Sequence, residues 1–185
     1  LGDVYKRQMY NFLRLILKRN MSNKKWRKRG VEIGDNCHIY GSIDNGHEFL
    51  VSMGNNVTLA SGARILTHDG STKKLLGYSK VGRVDIGNNV FIGAGAIVLP
   101  NVRIGNQVII GAGSIITKSI ADNSVVAGNP ARVIGTYAEF TKKNKLLLET
   151  SPIYKTHYSE KTMKEKMQMK AELLNGCLLY TSDAA

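Results

Sequence analysis

The sequence predicts an all-β solenoid, a prism of short extended segments wound in coils, and three observations predict it. Ile86 to Ala121 divides into six hexapeptides: IGNNVF, IGAGAI, VLPNVR, IGNQVI, IGAGSI and ITKSIA. The first positions (Ile86, Ile92, Val98, Ile104, Ile110, Ile116) are aliphatic, and the fifth (Val90, Ala96, Val102, Val108, Ser114, Ile120) are small or aliphatic. The second position is Gly in four of the six blocks. A short fixed period outranks other signals in a sequence. If each block makes one extended side and one turn, three blocks close a coil of 18 residues and the first-position side chains stack along the axis. Burying each is worth about 1.5–3 kcal/mol, and rungs stack about 4.8 Å apart. Gly and Asn supply turn conformations that other residues resist, and Asn101 stands in LPNV where Gly is expected.

From the beginning of the chain, the first eight residues stand apart. Asp3–Gln8 back-translated as GAT GTG TAT AAG AGA CAG, reverse-complemented and shifted by one base, reads as Cys177–Ser182. Residues 1–8 and 177–185 are therefore expected to derive from one sequencing-library adapter and are set aside from fold reasoning. The remaining 168 residues suffice for one domain with a core. Cys37 is then the only native cysteine, which points to a reducing compartment.

Residues 9–30 hold eight Lys or Arg and no acid, a basic amphipathic segment. Its start, MYNFLRLILKRN, is far too short to span a bilayer. Two readings stand side by side: a cap on the open end of the solenoid, and peripheral contact with anionic lipid on the cytoplasmic face of a membrane. The expected location is accordingly cytoplasmic. Residues 31–141 hold eight charges of each sign and 142–176 hold eight Lys and four Glu, so the formal +12 belongs to the flanks. A nucleic-acid reader carries its charge on the docking face of the fold, and that function is excluded.

The hexads begin less tidily at Val31. Ile39 to Met53 spans 14 residues where two blocks need 12, so Asn45–Ser52 breaks phase. Met53, Leu59 and Ile65 resume it, and Ile65 to Ile86 spans 21 where the period expects 18. The intervening Asp69–Arg83 is polar with three Gly, a loop pushed out of the prism. Such loops carry function on rigid scaffolds. His68 stands at its mouth, in Thr67-His68-Asp69. An imidazole, with an ordinary pKa near 6.5, takes and returns a proton at neutral pH. His38 on a solvent-facing position, His47 in the phase break and His157 in the tail are weaker candidates.

These hexads, the THD before a loop, and the run IGAGSIITKSIADNSVVAGNPARVI resemble the hexapeptide-repeat acyltransferases, in the group of maltose, galactoside and capsular-polysaccharide O-acetyltransferases. The resemblance covers Val31 to Gly135. It implies a left-handed parallel β-helix, against the usual crossover hand, and a homotrimer with sites in the clefts between prisms. It implies acetyl transfer from acetyl-CoA, as co-substrate and without a metal, to a hydroxyl of a sugar or glycolipid. His68 matches the general base. Ala94 and Ala112 match positions whose backbone touches the pantetheine arm, and Thr117, Lys118 and Arg132 match residues near the nucleotide phosphates. Asn45 and Asp69 are candidates for acceptor contact.

Beyond Gly135 the period ends, and residues 136–176 read as a basic helical extension. Ser159–Asn175 predicts a C-terminal helix with Ser159 as N-cap. Two other functions share the solenoid. A zinc hydratase of the γ-carbonic-anhydrase kind needs three converging His, for which His38, His47 and His68 lack a pattern. A non-enzymatic scaffold leaves the AGNPARV segment and His68 without a purpose.

Overall fold

In the computed structural model, which describes residues 23–154, 160–175 and 179–180, the chain visits three parallel sheets in rotation. The first sheet stacks Glu32–Ile33, Val51–Met53, Val84–Ile86 and Val102–Ile104. The third stacks Ser42–Ile43, Arg64–Ile65, Ile97–Val98 and Ile115–Ile116. Between them in chain order, the second stacks His38–Ile39, Val57–Leu59, Val90–Ile92, Val108–Ile110 and Ser124–Gly128, with Ala131–Thr136 beyond. Each turn of the chain thus lays one strand on each face of a prism.

Strand alternation explains the hexad. In Val90–Ile92 the outer two side chains are buried and Phe91 faces out, and the same in-out-in pattern recurs in Val57–Leu59 and Val108–Ile110. The register stacks Leu59 on Ile92 on Ile110, and Ile65 on Val98 on Ile116. Every first-position side chain from Ile86 to Ile116 is at most 4% exposed.

The period has three interruptions, each legible in the pairing. Hydrogen-bonded partners lie 18 residues apart in the regular coils; between the first two coils, where two extra residues were expected, the offset is 20 on the first and second sheets and 22 on the third. Between the second and third coils the offset is 33, fifteen more than 18, so the spacing of 21 understated the insertion. A block is only six residues, and Ile65 and Ile86 lie on different sheets. The inserted residues are not a structureless loop: His68–Asp69 pairs antiparallel with Lys80–Val81, and a 3-10 turn Gly70–Thr72 leads into a short helix, Lys73–Leu76, ended by Gly77 at φ 75°. The sixth hexad also departs from expectation. Ile120 bridges Ile104, an offset of 16, so the coil closes two residues early.

Glycine does two kinds of work here, and asparagine shares one of them. Gly93 is at no unusual φ, but a Cβ there would lie 2.6 Å from the Ala112 backbone nitrogen; its reason is close approach of stacked coils. The left-handed turn positions are divided between asparagine and glycine: Asn36, Asn56, Asn89, Asn101 (φ 62°) and Asn123 take some, and Gly62, Gly95 and Gly113 take others. Asn36, Asn56 and Asn89 also form a side-chain ladder up one edge, with Nδ2 to Oδ1 distances of 2.6 and 3.0 Å.

Residues 23–28 form a helix, α1. First-coil groups pair with the coil above, as Tyr40 N does with Leu59 O and Asp35 O with Asn56 N, and three first-coil carbonyls accept from α1 side chains instead. Arg27 donates to Ile33 O at 2.8 Å and Gly34 O at 3.0 Å, and Asn23 Nδ2 to Cys37 O at 3.0 Å. The stretch 9–20, residues 1–8 and Ser159 lie outside the described residues. Among those described, no helix is long and apolar enough to cross a membrane.

The chain divides into two compact units, Leu1–Gly135 and Thr136–Ala185. The second holds two helices where one was expected. Tyr137–Thr150 starts at a capping box of Thr136 and Glu139. Met163–Glu172 starts at another, Thr162 with Glu165, so Thr162 and not Ser159 is the N-cap: its hydroxyl and Glu165 reciprocally satisfy the first backbone donors. Ile153–Tyr154 pairs parallel with Leu179–Tyr180.

Candidate active site

His68 leaves the third sheet just after Ile65, and the coil below places Asp44 directly beneath that exit. Asp44 N donates to Ile65 O at 2.8 Å, which fixes its backbone as a continuation of the sheet. Its carboxylate turns up into four donors on Oδ2: Thr67 N and Thr67 Oγ1 at 2.9 Å, His68 N at 3.0 Å and His68 Nδ1 at 2.5 Å. Oδ1 accepts from Asn45 N at 2.9 Å. Thr67 is fully buried, the Asp44 side chain is 8% exposed, and the His68 side chain is 44% exposed.

The electrostatics follow from that donor set. Burial pushes the Asp44 carboxyl up, but hydrogen bonds from the Thr67 backbone and hydroxyl, then from His68, outweigh it and hold it below its ordinary value. An ionised carboxylate only accepts, so Nδ1 of His68 donates and Nε2 is left as the basic nitrogen. A reachable imidazole of fixed tautomer, backed by a buried carboxylate, is a general-base arrangement. Asp44 was missed in the sequence because the phase break hid its column. The register puts Asp44 one rung below Leu66, an offset of 22, because the chain uses two residues fewer from Ile39 to Ile43 than from Leu59 to Ile65.

The same connection brings His47 to the site. Its ring centroid lies 5.6 Å from that of His68, at 44°, and its Nδ1 is buried without a partner. Glu48 next to it is buried and ion-paired with Arg29 at 2.9 Å. His38 lies instead on the second sheet, beside Tyr40. Among the described residues no group of three or more His, Cys, Asp or Glu is placed to hold a metal ion.

The other candidates are distributed over the prism. Asn45 is exposed, adjacent to Asp44. Asp69 caps the 3-10 turn by accepting from Ser71 N at 2.8 Å and pairs with Lys80 at 2.6 Å; these two contacts depress its carboxyl strongly. Ala94 and Ala112 are exposed and stacked at the edge joining the second and third sheets, with Gly113 N donating to Ala94 O at 2.8 Å. Thr117 and Lys118 are exposed at the opposite edge, just after Ile115–Ile116. His68 shares that second edge two coils lower. Arg132 is exposed in the strand Ala131–Thr136, its guanidinium on Ala131 O at 3.0 Å. Within one chain, His68 and the Ala94–Ala112 column therefore flank the third sheet from opposite edges, with Arg64, Ile97 and Ile115 outward between them.

Comparison with known proteins agrees with this architecture. Residues 83–118 match the family model "Bacterial transferase hexapeptide (six repeats)". The chain is 45% identical over 158 residues to Protein CapG of Staphylococcus aureus, covering 81% of this chain and 90% of that protein. The solved maltose O-acetyltransferase of Clostridium difficile 630 superposes with a TM-score of 0.53 at 36% identity, over 58% of this chain and 59% of that one. A galactoside acetyltransferase solved in complex with coenzyme A gives a TM-score of 0.53 at 32% identity, over 61% and 58%. The chain thus spans under two thirds of those two enzymes. On the repeat, the stacked sheets and its near full-length likeness to CapG, the chain belongs to the hexapeptide-repeat acyltransferase family.

Proposed function

We propose that this protein transfers an acetyl group from acetyl-CoA to a hydroxyl of a sugar or glycolipid, with His68 as general base. The observation that carries the reading is the hydrogen bond from His68 Nδ1 to the ionised Asp44. It leaves Nε2 to take the proton of the acceptor hydroxyl while that oxygen attacks the thioester carbonyl. Backbone donors suit the tetrahedral oxyanion. As it collapses the C–S bond breaks, the coenzyme thiolate takes the proton back from the imidazolium, and an acetyl ester and free thiol result. Asp44 stabilises the imidazolium and stays ionised throughout.

The named relatives support the donor and the acceptor class: two are maltose and galactoside acetyltransferases, and one was solved with coenzyme A. By the same likeness the coil is left-handed, and the protein is a homotrimer. The pantetheine arm runs along the backbone of Ala94 and Ala112, with Thr117, Lys118 and Arg132 near the phosphates. Asn45 and Asp69 border the acceptor. Residues 9–30, with eight cations and no acid, support a place at the cytoplasmic face of a membrane, beside a lipid-linked acceptor. Incubation with labelled acetyl-CoA and a panel of sugars, nucleotide sugars and amines tests the reading. Label transferred to a hydroxyl is expected; transfer only to amines, or failure to bind acetyl-CoA in calorimetry, would contradict it.

A further inference from the structure

The connection between Ile43 and Val51 is four residues longer than the regular one from Val98 to Val102, and the corner before it, Ile39 to Ile43, is two shorter than its counterpart Leu59 to Ile65. It also delivers Asp44 and His47 to His68. A surface connection of this kind is ordinarily free to shift, and here it is held from within. Glu48 opens a 3-10 turn, Glu48–Leu50, with Leu50 N on His47 O at 3.0 Å. Its side chain is 9% exposed, with Oε1 accepting from Arg29 at 2.9 Å and Oε2 from Gly46 N at 2.9 Å. Arg29 is itself fixed: its N–H donates to Trp26 O at 2.9 Å, its guanidinium lies 5.7 Å from the Trp26 ring centroid, and Trp26 packs on the core. Gly30 seats directly on Phe49, where a Cβ would approach Phe49 Cβ to 2.8 Å.

Glu48 gives up its hydration while the Arg29 side chain stays 44% exposed, so the desolvation of the carboxylate offsets much of the attraction and the pair adds little net stability. What it supplies here is position. The carboxylate reaches one anchor on the end of α1 and one on the connection's own backbone, and the residues on either side of Gly46 include both groups that meet His68. We propose that the Arg29–Glu48 ion pair is a positioning device for the catalytic pair: it fixes the 44–50 connection so that Asp44 meets His68 Nδ1 and His47 stands beside the His68 ring. The inference rests on the reading of His68 as the base. Arg29 and Glu48 touch neither substrate, and they act through Asp44 and His47.

The test compares Glu48→Gln and Arg29→Lys in the full chain, with Arg83→Gln, an exposed ion pair elsewhere on the prism, as control. Two quantities are read: kcat and KM for acetyl transfer, and the low-field Nδ1 proton of His68 by NMR, which needs no activity. Glu48→Gln is expected to lower kcat about tenfold with the KM for acetyl-CoA unchanged, and to weaken the Nδ1 signal. Arg29→Lys, which keeps the charge but loses the planar fork, is expected to do both to a smaller degree. Wild-type kcat and an unchanged Nδ1 signal in both variants would overturn the proposal, as would a fall in kcat that leaves the signal intact. Should Glu48→Gln not fold, Arg29→Lys decides on the same two readings. A failure of the base assignment shows separately, as wild-type activity in His68→Ala.

Discussion

At the scale of single residues, the site is one carboxylate oxygen shared by four donors. Asp44 Oδ2 binds two groups of Thr67 and two of His68, so the backbone that positions the histidine and the ring itself are aligned by the same atom. Asp44→Asn keeps the shape but offers an amide N–H to the ring as readily as a carbonyl, which favours the wrong tautomer. The expected outcome is a fall in kcat of about 100-fold or more with coenzyme binding retained. A pH effect follows from the lowered Asp44 pKa. A depressed carboxyl contributes stability that is present in full above its unfolded value, about pH 4, and lost as pH falls through the folded one. Urea unfolding between about pH 5 and pH 2 should lose stability more steeply in the wild type than in Asp44→Asn. Equal slopes would show that Asp44 carries none of it. Of this site the sequence reveals His68, because a His at the mouth of the large interruption is visible in one dimension. Asp44 and His47 lie about 20 residues earlier in an irregular stretch, and only the stacking of coils brings them to His68.

At the scale of the element, the hexad is a stacking code more than a turn code. Ile92 is fully buried between Leu59 and Ile110. Ile92→Ala is expected to cost about 2–5 kcal/mol by chemical denaturation. Gly93→Ala should also destabilise, although it adds only a methyl, since that methyl meets the Ala112 nitrogen at 2.6 Å; a neutral Gly93→Ala would refute close approach as the reason for Gly. The buried first and fifth positions were readable because side-chain alternation in a three-residue strand repeats without help from the rest of the chain. The size of the excursion was not, because one spacing does not say which sheet the chain returns to. The early closure at Ile120 was likewise hidden, since ITKSIA still has an aliphatic first residue. The N-cap shifted from Ser159 to Thr162 for a local reason: only Thr162 has a Glu three residues on.

At the scale of the whole molecule, the proposed parts of the site are set apart by the coil itself. His68 leaves one edge of the third sheet, and Ala94 and Ala112 line the other. On the proposed reading, a cleft between neighbouring prisms would bring the base of one subunit to the coenzyme column of the next, and the site then calls for an oligomer. Sedimentation should give a trimer. Inactive His68→Ala and an inactive variant of the coenzyme column, mixed as unfolded chains and refolded together, should recover part of the activity. No recovery would place the whole site in one chain.

The most direct measurement of the central claim is single-turnover acetyl transfer by His68→Ala at saturating acetyl-CoA, with coenzyme binding followed by calorimetry. The account predicts a rate lower by about 100-fold or more with the affinity for acetyl-CoA kept. A wild-type rate in a correctly folded His68→Ala protein would contradict it.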